Sequence, residues 1–408
     1  MRDGLSVDEV DKKQKNIKED DEMRKVSFSD LLNLALLYGF DVSNMAAAVR
    51  GPNGSVKPSS LKKIPLEFGM YQACQSRAVN GKPAPVTLTE LLEEIDPSEN
   101  YPGCELNAFE RQLAVRNLNV NGKAAVTLEE FYNTPENRVL FPEFINTQVK
   151  VGQLLGRYTL RDEDLIAVVT QIESGTYQAA SIDETQDVSM GVVGQGVEFP
   201  TVSITVGDET IKLKKHGMLI KATYEHMRRI RANKMAVFFQ LAGFRMMLDK
   251  TEDAVSVTIN GDGNGNSAPV DTIGAIGFKN FVKFLAEFEP YEIRILAADK
   301  TNWIELMSMA DFNNSLVAQQ FFSTGNAITP FGSPVRRHDP SSSILSDKVL
   351  GVDASRALER IEESNASLTE TERLVTSQWQ NIAISDVVGY ARIITNAARV
   401  WDTTNDLP

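Results

Sequence analysis

The residues from 233 to 260 constrain the fold most. NKMAVFFQLAGFRMMLDKTEDAVSVTIN carries Val237, Leu241, Phe244 and Leu248 at helical spacing, with Met235, Phe239, Ala242 and Met246 as a second stripe. Two apolar stripes on one helix predict burial on most of its sides. Asn233 suits the N-cap and Gly261 the left-handed residue just past the end. The helix would then run about 42 Å at 1.5 Å per residue. That is long for a globular protein, so it is expected to act as a spine for other elements. It follows a cationic run, KLKKHGMLIKATYEHMRRIRANK, with eight Lys/Arg against the single acid Glu225.

Composition limits what such a chain can do. At 408 residues it has room for two or three domains, and 42% hydrophobic with 24% charged residues allows an ordinary core. A formal net charge of −13 disfavours general nucleic-acid binding, which depends on neutralising phosphates. Cys74 and Cys104 stand apart with no CxxC partner, and reduced thiols are expected. The first 22 residues are charged throughout and do not read as a signal peptide. No apolar run approaches eighteen residues, so no membrane span is expected.

Along the chain, 1–26 is a charged lead-in and SFSDLLNLALLYGF (27–40) reads as a capped helix. Thr87/Glu90 and Thr127/Glu130 repeat the capping-box spacing, predicting helix starts in VTLTELLEEI and VTLEEFY. Pro142 is expected to break the next helix, with a second beginning at Glu143. Residues 164–211 read as two strands around a Gly/Ser/Gln-rich tip, a long hairpin. A two-stranded ribbon is marginal alone in water, so another copy of the chain is the expected support. After the spine, 272–288 reads as an amphipathic helix, 291–298 as a strand, 301–322 as helical, and 349–363 and 371–401 as strands and turns. Helices and strands interleave without regular βα alternation, which predicts an α+β fold.

His216, His226 and His338 are scattered, and no GxSxG, HExxH or P-loop signature appears. Gly191, Gly194 and Gly196 are incomplete for a dinucleotide fingerprint and sit at the hairpin tip. Asn260, Asp262, Asn264, Gly265 and Asp271 occupy calcium-loop positions, but two carboxylates and an Asp in the last position favour a Gly/Asn turn. No catalytic residue, cofactor or metal is therefore assigned. The cationic run reads either as a solvated face or as the seat of an acidic partner. In the second reading Arg228, Arg229 and Arg231 meet Asp183, Glu184, Asp187 and Glu198 from a neighbouring copy's hairpin.

The order of elements resembles the major capsid proteins of tailed bacteriophages, the Johnson fold shared with herpesvirus shell floors and encapsulins. The likeness covers about 115–405 and rests on VLFPEFI (139–145), the hairpin, the spine with its exit TINGDG (258–263), and NIAISDVVGYARI (381–393). The resemblance implies a helical N-terminal extension at 1–110, an N-arm at 111–163 and an E-loop at 164–211. It further implies a peripheral domain at 212–262 with 350–408, and an axial domain at 263–349. It implies hexamers and pentamers closing into an icosahedral virion shell around double-stranded DNA, assembled in the host cytoplasm. Portal, scaffolding and decoration proteins are the implied partners.

Some relatives weld their shells through an E-loop lysine, but no lysine occurs here between Lys150 and Lys212. The N-terminal region lacks sustained heptads, and it is expected to tie neighbouring copies together. An encapsulin-type compartment and an α+β enzyme with an unrecognised site are the alternatives.

Overall fold

The computed structural model describes residues 61–404 except 68–69, 76–77, 80–81, 84–85, 102–103, 174–175, 183–194, 196–203, 208, 311–326, 330, 339–342, 364–367 and 375. The expected helix at 27–40 and most of the hairpin tip lie outside the described residues.

In chain order, helix α1 (Met70–Gln75) is followed by a short β1 (Ala78–Val79) and β2 (Lys82–Pro83) pair. Helices α2 (Leu88–Ile95), α3 (Ala108–Val115) and α4 (Pro135–Gln153) come next. The hairpin region contains β3 (Ile166–Ile172), β4 (Thr176–Tyr177), β5 (Ala180–Ile182), β6 (Ile204–Val206) and β7 (Ile211–Lys212). Strand β8 (Lys214–Thr223) and the short helix α5 (Tyr224–Arg229) lead into the spine, α6 (Ala232–Asn260). Then come β9 (Val270–Ile273), α7 (Phe278–Glu287), β10 (Ile295–Ala298), α8 (Lys300–Ser308), β11 (Val335–Arg337) and β12 (Lys348–Val352). The chain closes with β13 (Leu358–Glu363), β14 (Leu368–Leu374), β15 (Trp379–Arg392) and β16 (Ala398–Asp402). The fold is α+β, with two compact units.

The first unit takes residues up to 70, 87–151 and 225–238. Thr87 and Asn107 each form a full capping box, with Glu90 and Glu110. The second expected box does not form. Leu128–Tyr132 is a 3-10 turn without a side-chain cap, its Glu130 N–H donating to the Thr127 carbonyl instead. The Leu128 N–H donates to the Ile230 carbonyl, and Thr127 bridges Arg231 in antiparallel fashion.

Pro142 does not break α4, which runs continuously through it. Leu140, Phe141, Phe144 and Ile145 are all at most 1% exposed, and Phe131 stacks on Phe144 and packs at a tilt against Phe141. That packing offsets the roughly 3 kcal/mol that an interior proline costs. Arg111 is 1% exposed and donates to Ser98 Oγ at 2.7 Å and to the Leu106 carbonyl at 2.9 Å, with Glu93 and Asp96 as its ionic partners.

The second unit takes residues 71–86, 152–224 and 239–408. One five-stranded sheet has the order β11-β10-β12-β16-β9, parallel at both outer pairs and antiparallel between. Phe281, Phe284 and Phe288 of α7 and its C-terminal end cover it, packing on the fully buried Trp401. The helix predicted at 272–288 therefore starts six residues late. Its first residues extend β9, where Thr272 is buried beside Trp401 in the ladder.

The other sheet is built around the fourteen-residue β15. Along one edge β15 pairs first with β14 and then with β13, and β3 lies parallel to β13 at the outside. Strand β8 lies antiparallel along its other edge. Ile382, Ile384, Val388 and Tyr390 form the buried alternation of β15. The sequence placed β3 in the long hairpin. Its partner is instead β13, almost two hundred residues away, and the hairpin itself begins at β4.

Candidate assembly surfaces

The hairpin stem is made of two short rungs. Strands β4 and β7 pair at Thr176–Tyr177 with Ile211–Lys212, and β5 and β6 pair at Ala180–Ile182 with Ile204–Val206. The lower rung rests on its own sheet. Ala179 and Ile211 are buried against Ile361 and Ala391, with Tyr177 and Leu213 packed around them. A Cβ at Gly389 would meet Leu213 Cδ2 at 2.7 Å, so the stem lies tight on β15 there. The Tyr177 hydroxyl donates to Glu359 at 3.0 Å, and Thr170 donates to the same carboxylate. Burial, then the adjacent Glu359 charge, pushes the Tyr177 phenol up, so it remains a donor.

Among the described residues, β5 and β6 pair only with each other. The ribbon predicted to lack support within its own molecule is therefore seated on its own sheet at its base.

The loop leaving the spine clasps this stem. Gly261, Gly263 and Gly265 all have positive φ, which glycine alone adopts without strain. Asp262 is fully engaged. One carboxylate oxygen accepts from the Asn264 N–H and side-chain amide at 3.1 and 2.9 Å, the other from the Arg392 N–H at 2.9 Å. Asn264 Oδ1 accepts from the Glu209 N–H at 2.9 Å, and Asn266 Oδ1 from the Asp262 N–H at 3.0 Å. Asp271, the last position of the calcium-like pattern, sits in β9 and pairs with Arg399. The segment is thus a turn that ties β15 to the returning hairpin strand.

Beside it, Asp253 of the spine accepts from Lys214 at 2.7 Å and lies 3.1 Å from His216 Nε2. Burial alone would raise the Asp253 carboxyl, but the bonds from His216 and Lys214 outweigh it and hold it below the usual range. An open cleft lined by Glu209, Lys212, Lys214, Asp253, Asp262 and Tyr390 lies here. Asp253, Asp262 and Tyr390 each hold a partner already. Among the described residues no three His, Cys, Asp or Glu converge to hold a metal. Cys74 is buried and Cys104 half-buried, and neither is in a disulfide.

Of the candidate contact residues, Asp183, Glu184, Asp187 and Glu198 lie outside the described residues. The three arginines belong to the first unit. Arg228 meets Glu129 at 3.0 Å with 62% of its side chain exposed, a pair worth little on its own. Arg229 is exposed. Arg231 donates to the Lys123 carbonyl at 2.8 Å, and its own carbonyl accepts from the Lys234 and Met235 N–H groups, which makes it the helix N-cap. Asn233, expected in that role, is inside α6 and donates to the Gly122 carbonyl at 3.1 Å.

The two apolar stripes of the spine have different fates. Met235, Phe239 and Ala242 are buried, as are Ala254 and Val255 further along. Val237, Phe238 and Leu241 are 62%, 51% and 45% exposed, which corrects the expectation of burial on most sides. The sequence signal was present in the first stripe; what it did not show is that Val237 and Leu241 of that stripe stay exposed.

No helix among the described residues is long and apolar enough to cross a membrane. No protein-family model matches the chain, and no curated protein matches it in sequence. In fold it is similar to the capsid structure of the cyanophage P-SCSP1u, which is 15% identical, covers 62% of this chain and 90% of that one, and gives a TM-score of 0.42. It is likewise similar to the capsid of a native GTA particle, at 16% identity, 61% and 93% coverage and a TM-score of 0.44. The virus-like particle from Pyrococcus furiosus gives 12% identity, 64% and 98% coverage and a TM-score of 0.38.

Proposed function

We propose that the chain is the structural, non-enzymatic subunit of an icosahedral virion shell of the tailed-phage type, built from hexamers and pentamers around double-stranded DNA. The observation that carries this reading is the hairpin. Its stem is fixed by the Glu359 bonds, the Gly389 contact and the Asn264 clasp, while its upper rung pairs only with itself among the described residues. A rigid base under a marginal ribbon suits an element that finishes folding on another copy. Val237, Phe238 and Leu241 add apolar surface that a lone chain leaves wet.

In this reading the hairpin acids Asp183, Glu184, Asp187 and Glu198 meet Arg228, Arg229 and Arg231 of a neighbour, and Arg228 exchanges its exposed Glu129 partner for them. Residues 1–110 tie copies together, portal, scaffolding and decoration proteins complete the particle, and assembly occurs in the host cytoplasm. Many weak contacts then sum to a stable shell.

Electron microscopy of the expressed full-length chain tests the proposal. Closed shells of uniform diameter are expected. A chain that sediments only as a monomer, at every concentration and salt tried, would overturn it. Shells filled with a protein cargo and no DNA would instead favour an encapsulin-type compartment.

A further inference from the structure

We infer that the β15 sheet continues from copy to copy, the outer edge of β8 in one chain pairing with the outer edge of β14 in the next. This rests on the shell reading for its biological setting, but it is a separate contact from the hairpin and the spine arginines.

Three observations carry it. First, both edges are open: β8 pairs only with β15, and β14 only with β15, among the described residues. Second, β8 is ten residues long and exposed along most of it, including Met218 and Leu219 at 37% and 53%. A long edge of unpaired N–H and C=O groups is a template for another strand. Third, the two edges are opposite in charge. Strand β8 presents exposed Lys215 and Lys221, with Lys214 tied to Asp253; β14 presents exposed Glu370 and Glu372, and its Arg373 lies over the Tyr224 ring of its own chain, 4.2 Å from the centroid.

Lysine on an edge strand is also a common guard against unwanted pairing. Here the guard is selective. Two β8 edges would set Lys against Lys, and two β14 edges Glu against Glu, whereas β8 against β14 sets Lys against Glu. Across one sheet, Lys221, Asn381 and Glu372 occupy one row, and Leu219, Ala383 and Glu370 the next. A neighbouring copy's β14 laid beside β8 therefore brings its carboxylates to the face that holds Lys221. The contact is head-to-tail, which generates a ring when the rotation closes.

Charge exchange tests this directly. Lys215→Glu with Lys221→Glu, and separately Glu370→Lys with Glu372→Lys, should each cut the yield of assembled particles at least tenfold; all four changes together should restore it. Melting curves of each variant establish that it folds. Assembly at wild-type yield by the folded single-edge variants would overturn the inference and leave the shell reading standing.

A cysteine pair gives a readout independent of particles. In a Cys104→Ser background, Lys221→Cys is combined with Glu370→Cys in one variant and with Glu372→Cys in another. Within one chain these positions are two strand spacings apart, about 10 Å, too far for a disulfide. Oxidation of the full-length protein should give a ladder of dimers, trimers and higher multimers on a non-reducing gel. Monomer alone from both variants would sink the edge pairing even if shells form.

Discussion

The hydroxyl of Tyr390, at the end of the long strand β15, donates to the carboxylate of Asp162 at 3.0 Å across 228 residues of chain. Arg360 meets the same carboxylate at 3.3 Å, and Asp162 is 4% exposed. Burial, then the Asp162 charge, raises the Tyr390 phenol well above its ordinary value, so it stays a donor. Tyr390→Phe leaves Asp162 buried with one donor fewer. The expected loss is about 1–3 kcal/mol, since an unsatisfied buried acceptor keeps its desolvation cost. Urea unfolding of the two proteins checks it, and an unchanged midpoint would show that Arg360 alone suffices.

Gly152, near the end of α4, marks a backbone-to-backbone approach onto the spine. A Cβ there would stand 2.0 Å from the Gln240 carbonyl oxygen. In an isolated helix Gly→Ala gains about 1 kcal/mol. Here overpacking opposes that gain, and it costs about 1–3 kcal/mol where the structure can give. Two helix backbones cannot give easily, so Gly152→Ala is expected to lose roughly 3 kcal/mol or fail to accumulate as soluble protein. A thermal midpoint equal to or above the parent's would refute the close approach.

Asp353 supplies a pH dependence. Its side chain is fully buried, with Arg356 at 2.8 Å, Arg294 at 3.4 Å and both the N–H and hydroxyl of Ser355 as donors. Burial raises its carboxyl, but these donors outweigh burial and hold it below the ordinary value. A carboxyl lowered on folding contributes stability that is complete above its unfolded value near 4, and that stability is lost as pH falls through the folded value. Asp353→Asn should therefore be less stable at pH 7 yet lose less between pH 5 and 3. Parallel acid-limb slopes in urea titrations at those pH values would contradict the assignment.

Local grammar in the sequence was readable where short-range physics decides it. Thr87 and Glu90 form the capping box their spacing announced, and Gly261 ends the spine in the left-handed region. What depended on distant partners was not. Strand β3 alternates well enough to belong to a hairpin, and nothing in Ile166–Ile172 names β13 as its neighbour. The helix survives Pro142 because Phe131 arrives from the preceding turn to pack on Phe141 and Phe144. Asp262 and Asn264 carried a cation-loop pattern whose acceptors are consumed by Arg392 and Glu209 N–H groups far along the chain. Helical periodicity likewise marked both stripes of the spine as apolar, but it cannot distinguish a face buried in the chain from one left for another molecule.

The arginine cluster gives the sharpest test of assembly. Arg228 and Arg229 are exposed on α5, and the ion pair Arg228 makes with Glu129 is partly in solvent. Reversing both charges should cost the isolated chain less than about 1 kcal/mol, the scale of an exposed pair. Arg231 differs, because its guanidinium donates to the Lys123 carbonyl and its backbone starts the spine. The informative comparison is therefore Arg228→Glu with Arg229→Glu against the same pair with Arg231→Glu. If these cations receive a neighbour's hairpin acids, the double variant already abolishes shells while its melting temperature stays within a few degrees of the parent. Raising salt should weaken parent assembly in the same direction, because pairs at this exposure are screened within about 8 Å at physiological ionic strength. Normal shells from the double variant would remove the arginines from the interface, and shells lost only on adding Arg231→Glu, together with a lowered melting temperature, would trace the defect to the spine's N-terminus instead.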